Sequence, residues 1–358
     1  MTKHFIALVF LALAIAPLRS AIRSDEQVIF FPSFASQTDQ DWRLSIHGWV
    51  HEPETRPVLG AFLRRAIPID RDKLTEAERE IYRERTRYFL PDNERRKIVT
   101  VQLGPLRHPA PGTSANGHFT LRWKLTTPQF ATLPASNRCL SVAAVLDAND
   151  SRAFIGTIHV LSNSGMSVIS DIDDTIKVSE VRNREALLMN TFCRPFKAVE
   201  GMAGVYRAWH TNGAQFHYLS ASPWQLYIPL AEFIGKAGFP AGTFHMKDFR
   251  VKDSTVLALL GDPEVFKLKL IRPLFRQFPQ RQFLLVGDSG EKDPEIYGQV
   301  AREFPKQVRG IFIRDVTDEN RASERYKKAF REVPDSTWAV FKSSLELPSL
   351  NPFVTPSE

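Results

Sequence analysis

The feature that most constrains this chain is the segment Met166–Val178, which reads MSVISDIDDTIKV. Its apolar run predicts a buried strand that ends at the acids Asp171, Asp173 and Asp174. In open α/β sheets, ligands bind at the carboxyl ends of the strands, so we expect these acids to face a site. Neighbouring carboxylates repel one another unless a divalent cation neutralises them. The segment is therefore typical of phosphate chemistry, with Asp171 and Asp173 as candidate nucleophile and proton donor.

Two more apolar runs end in polar side chains. The run at 215–219 leads into serines, and the run at 283–287 leads into a glycine turn with two acids. The carboxyl ends of parallel strands share one edge of a sheet, so these groups are expected beside the first acid cluster. The candidate site residues are Ser220 or Ser222 after the first run, and Asp288 and Asp293 after the second.

A helix is predicted between these two runs. The segment Val265–Phe275 carries two lysines, Lys267 and Lys269. Either ammonium group could offset the charge of the acids, and the spacing alone does not choose between them.

The apolar runs also predict the architecture. From about residue 163 they alternate with longer segments that can be helical, which indicates an α/β catalytic domain with a parallel sheet. Before that point, short alternating segments such as 118–125 are separated by loops rich in Pro, Gly, Asn and Ser, which indicates a β-sandwich-like domain. The predicted divisions are a signal peptide at 1–20, the β-sandwich-like domain at 25–162, the catalytic domain at 163–335 and a C-terminal tail at 336–358.

The first twenty residues resemble a secretory signal peptide. Lys3 precedes the uncharged apolar run Phe5–Ala16, and Ser20 supplies a small residue for cleavage. The alternatives are an uncleaved anchor or a buried first helix. We expect an exported protein, periplasmic or secreted. No later stretch reaches the roughly 18 to 20 apolar residues of a membrane span.

The net charge of +7 suits an anionic partner, either a phosphate ester or an acidic lipid surface. No nucleic-acid-binding motif stands out, so we expect no nucleic acid partner. The two cysteines, Cys139 and Cys193, could form one disulfide or stay apart. The sequence does not indicate an oligomeric state.

One helix is predicted inside the β domain. Thr75 and Glu78 form a capping-box pattern, and Arg79, Arg83 and Arg87 then share one face. The arginines could bind anionic headgroups, or they could be a solvated face that pairs with neighbouring acids.

Together, these segments resemble the four motifs of haloacid dehalogenase-type phosphatases. The finer resemblance is to the actin-patch-protein phosphatidate phosphatase family, with the lipins as more distant relatives. It rests on SDIDDTIK, YLSASPW, FPAG, FK with LIRPLF, and GDSGEKDPEIY, and it covers about 163–325. The segment FLPDNERRK at Phe89–Lys97 resembles the β domain that precedes the catalytic domain in many members. The resemblance implies a Rossmann-like parallel sheet in the catalytic domain.

The resemblance also implies catalytic roles. Asp171 would attack phosphorus and form an aspartyl-phosphate, and Asp173 would protonate the leaving oxygen, a role suited to a carboxyl with a raised pKa. Ser220 would hydrogen-bond the phosphoryl oxygens, and Lys267 would offset the charge on Asp171 and the phosphate.

Mg²⁺ is the implied cofactor. Asp171, the Asp173 carbonyl and Asp288 would bind it, and Asp293 would support its waters. The implied reaction converts phosphatidate to diacylglycerol, with peripheral contact at a membrane surface. The alternatives are a phosphatase for a soluble periplasmic phosphomonoester, or a non-catalytic module that binds lipid or protein. Every motif lies after Ser162, so a fragment beginning there is expected to fold and to retain turnover on a small ester.

Overall fold

The computed structural model of this chain describes residues 22–38, 40–53, 63, 67–248 and 263–349. The expected signal peptide at 1–20 therefore lies outside the described residues. Two β-sheets organise the rest, one of eight strands and one of six. Within the described ranges, no helix is long and apolar enough to cross a membrane.

The first sheet contains all the strands before residue 162. They are β1 (Gln27–Gln37), β2 (Asp41–Glu52), β3 (Asp92–Asn93), β4 (Thr100–Leu103), β5 (Leu106–Pro109), β6 (His118–Thr126), β7 (Cys139–Ala144) and β8 (Ile155–Leu161). Their order is β3-β2-β1-β8-β7-β4-β5, and β6 pairs with the same edge of β2 as β3 does. The strands thus form one hydrogen-bonded sheet, because β2 is long enough to pair with β1 along one edge and with β6 and β3 along the other.

Strand β6 shows how the sequence pattern builds this sheet. Phe119, Leu121, Trp123 and Leu125 are buried, and the residues between them are exposed. The period of two places every second side chain on the core face of a pleated strand. The predicted half-buried strand is confirmed, and its apolar face joins a core to which every strand of this sheet except β3 contributes.

The second sheet lies at the centre of the catalytic region. Its strands are β9 (Ser164–Asp171), β10 (Gln215–Pro223), β11 (Gly242–Lys247), β12 (Gln280–Asp288), β13 (Val308–Arg314) and β14 (Trp338–Phe341). All neighbours are parallel, in the order β11-β10-β9-β12-β13-β14. The predicted α/β region with a parallel sheet is confirmed.

The last strand differs from the expected tail at 336–358. Residues Trp338–Phe341 pair with Ile311–Arg314 and close one edge of the sheet. Both end residues of this strand are buried, so a four-residue apolar segment is enough to extend the sheet. Its shortness between proline-rich segments is the reason the sequence pattern did not indicate a strand.

Eight α-helices accompany the sheets in the described ranges. They are α1 (Glu76–Thr86), α2 (Thr127–Ala131), α3 (Arg184–Phe192), α4 (Met202–Thr211), α5 (Tyr227–Lys236), α6 (Pro263–Gln277), α7 (Asp293–Glu303) and α8 (Glu324–Ala329). Helix α6 confirms the predicted lysine-bearing helix. Helix α1 begins with the predicted capping box, in which Thr75 and Glu78 each bond the other's backbone N–H.

Two of the three arginines predicted to share one face, Arg79 and Arg83, are paired with an acid rather than free. Arg79 lies 3.5 Å and Arg83 lies 3.1 Å from carboxylate oxygens of Glu76. The next arginine along, Arg85, points inward and donates to the Thr191 carbonyl at 2.7 Å, at the end of α3. Helix α1 is therefore a bridge between the β domain and the catalytic region.

The β domain packs directly on the catalytic region through β1. Phe31 contacts Trp224 with ring centroids 4.2 Å apart, and Phe34 contacts Phe278 at 5.6 Å. Each phenylalanine belongs to an apolar cluster that consists mostly of core residues of the catalytic region. Arg281 fixes the join between the sheets, because its buried guanidinium donates to the backbone carbonyls of Ser164 and Met166 in β9 and of Ser162 before it. Cys139 and Cys193 are both free thiols.

Candidate active site

Two parallel strands deliver the first site residues to the same edge of the sheet. Asp171 ends β9 and pairs in register with Leu219, one residue before Ser220. Asp171 and Ser220 are both buried. On the other side, β12 ends at Asp288, which is also buried. The structure thus brings together the polar strand ends that the sequence placed in one site.

Lys267 is the charge centre of the site. Its ammonium group, on helix α6, donates to Asp171 Oδ1 at 2.8 Å, to Asp293 Oδ1 at 2.5 Å and to Glu291 Oε2 at 3.1 Å. These three bonds use every proton of the ammonium group. Lys267 is 0% exposed, whereas Lys269 is exposed. Geometry therefore places Lys267, and not Lys269, among the acids.

Asp173 is held by hydrogen bonds from two sides. Lys177 Nζ lies 2.8 Å from Asp173 Oδ1, and Ser179 Oγ donates to the same oxygen at 2.7 Å. On the opposite side, Ser220 Oγ donates to Asp173 Oδ2 at 3.1 Å, and Ser222 Oγ donates to it at 3.4 Å. Both candidate serines therefore reach the same oxygen, and the shorter bond belongs to the fully buried Ser220.

The loop after Asp173 is shaped by its neighbour Asp174. Asp174 has a φ of 52°, in the left-handed region that Asp and Asn tolerate better than most residues. Its carboxylate accepts the backbone N–H groups of Ser179, Glu180 and Val181 at 2.7–2.9 Å. The Asp174 carboxylate therefore holds the loop that carries Lys177 through these backbone bonds.

Three acids of the site form a group suited to a metal ion. Oxygens of Asp171, Asp288 and Asp293 all lie within 4.8 Å of one another. Asp171 Oδ2 and Asp288 Oδ2 are buried and have no hydrogen-bond partner. Buried carboxylate oxygens without partners are costly unless a cation or donor completes them. The donor set consists of hard oxygens, which Mg²⁺ prefers, so these residues fit the implied metal.

The remaining atoms of this group hold its acids in place. Asp288 Oδ1 accepts the backbone N–H groups of Gly290 at 2.6 Å and Glu291 at 3.1 Å. Asp293 Oδ2 accepts the Asp288 N–H at 3.3 Å. The Asp293 side chain lies against Gly287 where a Cβ would stand, so any larger residue at that position would displace it.

The electrostatics of the site separate its two leading aspartates. Burial raises the pKa of Asp171 well above its usual value, and the negative charges nearby add to this despite Lys267. Burial would also raise the pKa of Asp173, but Lys177 and the hydroxyl donors outweigh it and lower the pKa. The raised pKa expected for Asp173 as proton donor is therefore not found in this arrangement, because Lys177 stabilises its carboxylate.

The other ionisable groups follow the same two causes. Burial raises the pKa of Asp288, and the charges of Asp293 and Glu291 raise it further. Burial alone would lower the pKa of Lys267, but the surrounding acids outweigh it and raise that pKa well above its usual value. Lys267 therefore stays positively charged, and its single charge does not neutralise all the carboxylates around it.

Three residues of the site were not singled out from the sequence. They are Lys177, Ser179 and Glu291. Lys177 follows Asp173 by four residues within the SDIDDTIK segment, and Glu291 lies between Asp288 and Asp293. A count of charges could have pointed to Lys177, because five clustered acids need more than one lysine to balance them, but it gives no signal for Ser179.

The comparisons with known proteins agree with this geometry. Residues 166–315 match the family model described as phosphatidate phosphatase APP1, catalytic domain. Phosphatidate phosphatase APP1 of Saccharomyces cerevisiae is 35% identical over 161 residues, which are 44% of this chain and 27% of the yeast protein. An uncharacterized protein of Schizosaccharomyces pombe is 31% identical over 214 residues, which are 57% of this chain and 34% of that protein.

The matched region thus spans about a third or less of the length of these curated relatives. Among solved structures, a chain of the Pnkp1/Rnl/Hen1 complex aligns with 45% of this chain and 54% of its own length, at 14% identity and a TM-score of 0.29. That score is too low to indicate a shared fold. The region at 166–315 is therefore similar in sequence to the catalytic domain of phosphatidate phosphatase APP1.

Proposed function

We propose that this protein is a phosphatidate phosphatase, which hydrolyses a phosphate monoester to diacylglycerol and inorganic phosphate. The family match at 166–315 supports this activity. The observation that carries the chemistry is the buried Asp171, whose Oδ1 is held by Lys267 while its Oδ2 has no protein partner. A carboxylate oxygen without a partner, fixed by its neighbour atom, is positioned for attack on phosphorus.

Asp171 is the proposed nucleophile. A bond forms between its carboxylate oxygen and phosphorus while the bond between phosphorus and the glycerol oxygen breaks, and the leaving oxygen takes up a proton. Water then attacks the aspartyl-phosphate, which releases inorganic phosphate and regenerates Asp171. Lys267 stabilises the charge on Asp171 and on the phosphoryl group through this sequence.

Asp173 is the proposed partner for proton transfer. Ser220 and Ser222 donate to its Oδ2 in this structure, and the same hydroxyls are the proposed donors to phosphoryl oxygens. When a phosphoryl group takes over these hydroxyls, Asp173 loses two of the bonds that stabilise its charged form. Its affinity for a proton then rises, as a group that exchanges protons with the leaving oxygen and with water requires.

Mg²⁺ is the proposed cofactor. Asp171 and Asp288 would hold it through side-chain oxygens, Asp293 would support its waters, and the resemblance adds the Asp173 carbonyl. The ion would neutralise charge on the phosphoryl oxygens and on the acids themselves. Asp288 Oδ2 is buried without a hydrogen-bond partner and lies in the group of acid oxygens within 4.8 Å of one another, which supports this assignment.

We further propose that the catalytic region has the haloacid dehalogenase-type Rossmann-like fold, preceded by a β-sandwich-like domain. The parallel sheet with acids at the carboxyl ends of β9 and β12 supports the first assignment. We also propose that the protein is exported and acts at a membrane surface from the aqueous side. The basic start and apolar run of the sequence support export, and the charge of +7 supports attraction to an anionic surface.

A phosphate-release assay tests this function. Wild-type protein should release phosphate from phosphatidate in mixed micelles when Mg²⁺ is present, and excess chelator should abolish that release. Asp171→Asn should lower the rate by about three orders of magnitude or more while the protein stays folded, because an amide cannot attack phosphorus. Asp335→Asn, at an exposed position, is the matched control and should keep wild-type turnover.

Two outcomes would contradict the proposal. Near-normal turnover by folded Asp171→Asn protein would remove the assigned mechanism. Brisk hydrolysis of soluble phosphomonoesters, with phosphatidate left untouched, would replace the lipid substrate with a soluble one and leave the mechanism in place.

A further inference from the structure

A groove lies between the β domain and the catalytic region, beside edge strand β11. It encloses about 260 Å³ and borders a second space of about 540 Å³, with which it shares His47, Thr120 and Asp248. We call the first space the interdomain groove. Its apolar walls are Phe31, Phe34, Trp224, Phe244, Met246 and Leu270.

Several polar residues of the groove, namely Ser33, Thr243 and His245, direct their hydrogen-bonding groups toward the protein. Ser33 Oγ donates to the Phe31 carbonyl at 2.8 Å and accepts the His47 backbone N–H at 3.2 Å. Thr243 Oγ1 lies 2.9 Å from His245 Nε2. These hydroxyls and rings therefore present mainly carbon atoms to the groove.

The groove offers no positive charge to an anionic group. Among its described lining residues there is no lysine or arginine. Burial, together with the nearby His245, lowers the pKa of His47 to about 3, and burial lowers the pKa of His245 to about 4. Both rings are therefore neutral at pH 7. An uncharged apolar chain would lose contact with water here, whereas a phosphate group would lose its hydration without compensation.

The groove and the candidate active site share two structural elements. Ser222 Oγ reaches Asp173, and Trp224 follows two residues later, about 7 Å along an extended chain. On the other wall, Leu270 follows Lys267 by three residues on α6, so the two side chains are neighbours on one side of the helix. Two elements therefore connect the groove to the phosphate chemistry.

We propose that the interdomain groove binds an apolar chain of the phosphate ester while its phosphate occupies the cluster around Asp171 and Lys267. This inference rests on the proposed hydrolysis at Asp171. It assigns the β domain a part in substrate selection, because Phe31 and Phe34 of β1 form one wall. Monoesters with an alkyl or acyl chain would then be favoured over small polar ones.

A series of soluble esters tests this subsite without membranes. For wild-type protein with butyl, hexyl and octyl phosphate, kcat/KM should rise by about fourfold per methylene until the groove is filled, as expected for burial of one methylene group. Thr120→Trp places a large side chain at an exposed position of β6 that borders the groove. This variant should flatten the chain-length dependence and leave hydrolysis of p-nitrophenyl phosphate unchanged. Arg122→Trp, on the same strand face but outside the groove, is the matched control and should behave as wild type.

A binding measurement separates the groove from the hydrolase. Octylphosphonate and methylphosphonate lack the scissile ester bond, so calorimetric titration reports binding without turnover. Wild-type protein should bind octylphosphonate at least tenfold more tightly than methylphosphonate, and Thr120→Trp should remove most of that difference. This result in a protein without phosphatase activity would contradict the proposed function and support the groove. An equal chain-length effect in Thr120→Trp and wild type, in either assay, would overturn the proposal that the interdomain groove binds the apolar chain.

Discussion

Lys177 Nζ lies 2.8 Å from Asp173 Oδ1, and both side chains are buried in the loop that follows strand β9. The ammonium group also lies 5.0 Å from the centre of the Phe196 ring. This ion pair fixes the carboxylate that the resemblance assigns to proton transfer. It also explains why the pKa of Asp173 is lowered, although burial alone would raise it.

Removing the cation of this pair should destabilise the fold. Lys177→Met leaves the Asp173 carboxylate buried without its counter-ion, and we expect the free energy of unfolding to fall by about 3 kcal/mol. Urea denaturation at pH 7.5 measures the loss. Lys197→Met, at a nearby exposed position, should change stability by less than about 0.5 kcal/mol. The double variant Lys177→Met/Asp173→Asn should recover part of the loss, and a Lys177→Met protein as stable as the control would contradict the role of this pair.

The metal group gives a prediction that does not depend on turnover. Asp288→Asn removes one charge from the group formed with Asp171 and Asp293. We expect Mg²⁺ to raise the Tm of wild-type protein, because a ligand that binds only the folded state stabilises it. In Asp288→Asn, the Mg²⁺ concentration needed for half of this effect should rise about tenfold or more. Ca²⁺ should support activity poorly, since its longer bonds and looser shell suit another geometry.

The control for this experiment is Asp318→Asn, at an exposed acid outside the site. It should keep the wild-type response to Mg²⁺. An unchanged Mg²⁺ response in Asp288→Asn would show that the ion binds elsewhere.

Much of the site could be predicted because parallel strands share an edge. Asp171, Ser220 and Asp288 each lie at or next to the end of an apolar run, and the parallel pairing of β10, β9 and β12 brings those ends together. The positions of the apolar runs and their alternation with helical segments were enough to predict that these strand ends share one edge. The spacing did not choose between Lys267 and Lys269, because both lysines lie on one helix; the resemblance implied Lys267, and the structure places its ammonium group among the acids.

The partners of the site could not be predicted in the same way. Lys177 and Ser179 lie in an irregular loop, where no period fixes the direction of a side chain. The loop takes its shape from the left-handed conformation of Asp174 and from the three backbone N–H groups that its carboxylate accepts. Sequence spacing carries no signal for such a conformation.

The packing of the first sheet on the catalytic region also could not be predicted from the sequence pattern. A division at Ser162 suggested independent halves, because every motif lies after it. In the structure, Phe31 and Phe34 of β1 pack into apolar clusters of the catalytic region, which include Trp224 and Phe278. Alternation along a strand shows that a face is buried but does not show which element covers it.

We therefore expect a fragment that begins at Ser162 to fold poorly, contrary to the expectation from the motifs alone. It would expose the rings of Trp224 and Phe278 that Phe31 and Phe34 cover. Circular dichroism and size-exclusion chromatography should show an aggregated or loosely packed fragment. In the full chain, Phe34→Ala should lower the free energy of unfolding by about 3 kcal/mol, as for other buried aromatic truncations. A soluble, cooperatively folding fragment would show that the interface contributes little.

The interface histidines predict how stability depends on pH. Burial lowers the pKa of His47 to about 3, with nearby His245 adding to the shift, and His47 also shares a 2.9 Å hydrogen bond with His118. The unfolded chain binds this proton near pH 6.5, whereas the folded chain does not, so acidification favours unfolding. The contribution of His47 is intact above pH 6.5 and declines between pH 6.5 and about 3. At pH 5.5, proton binding by His47 in the unfolded chain should lower the free energy of unfolding by about 1.4 kcal/mol relative to pH 8.

Urea denaturation at pH 8 and pH 5.5 checks this prediction. His47→Phe should show a smaller loss of stability on acidification than wild type, by about 1 kcal/mol, because its ring cannot bind a proton in the unfolded chain. His108→Phe is the matched control, since His108 is exposed on β5 and should leave the wild-type pH dependence unchanged. The comparison of variants cancels the titration of the site's acids, which is common to all three proteins. If His47→Phe and wild type lose the same stability between these pH values, the His47 ring is protonated in the folded protein as readily as in the unfolded chain.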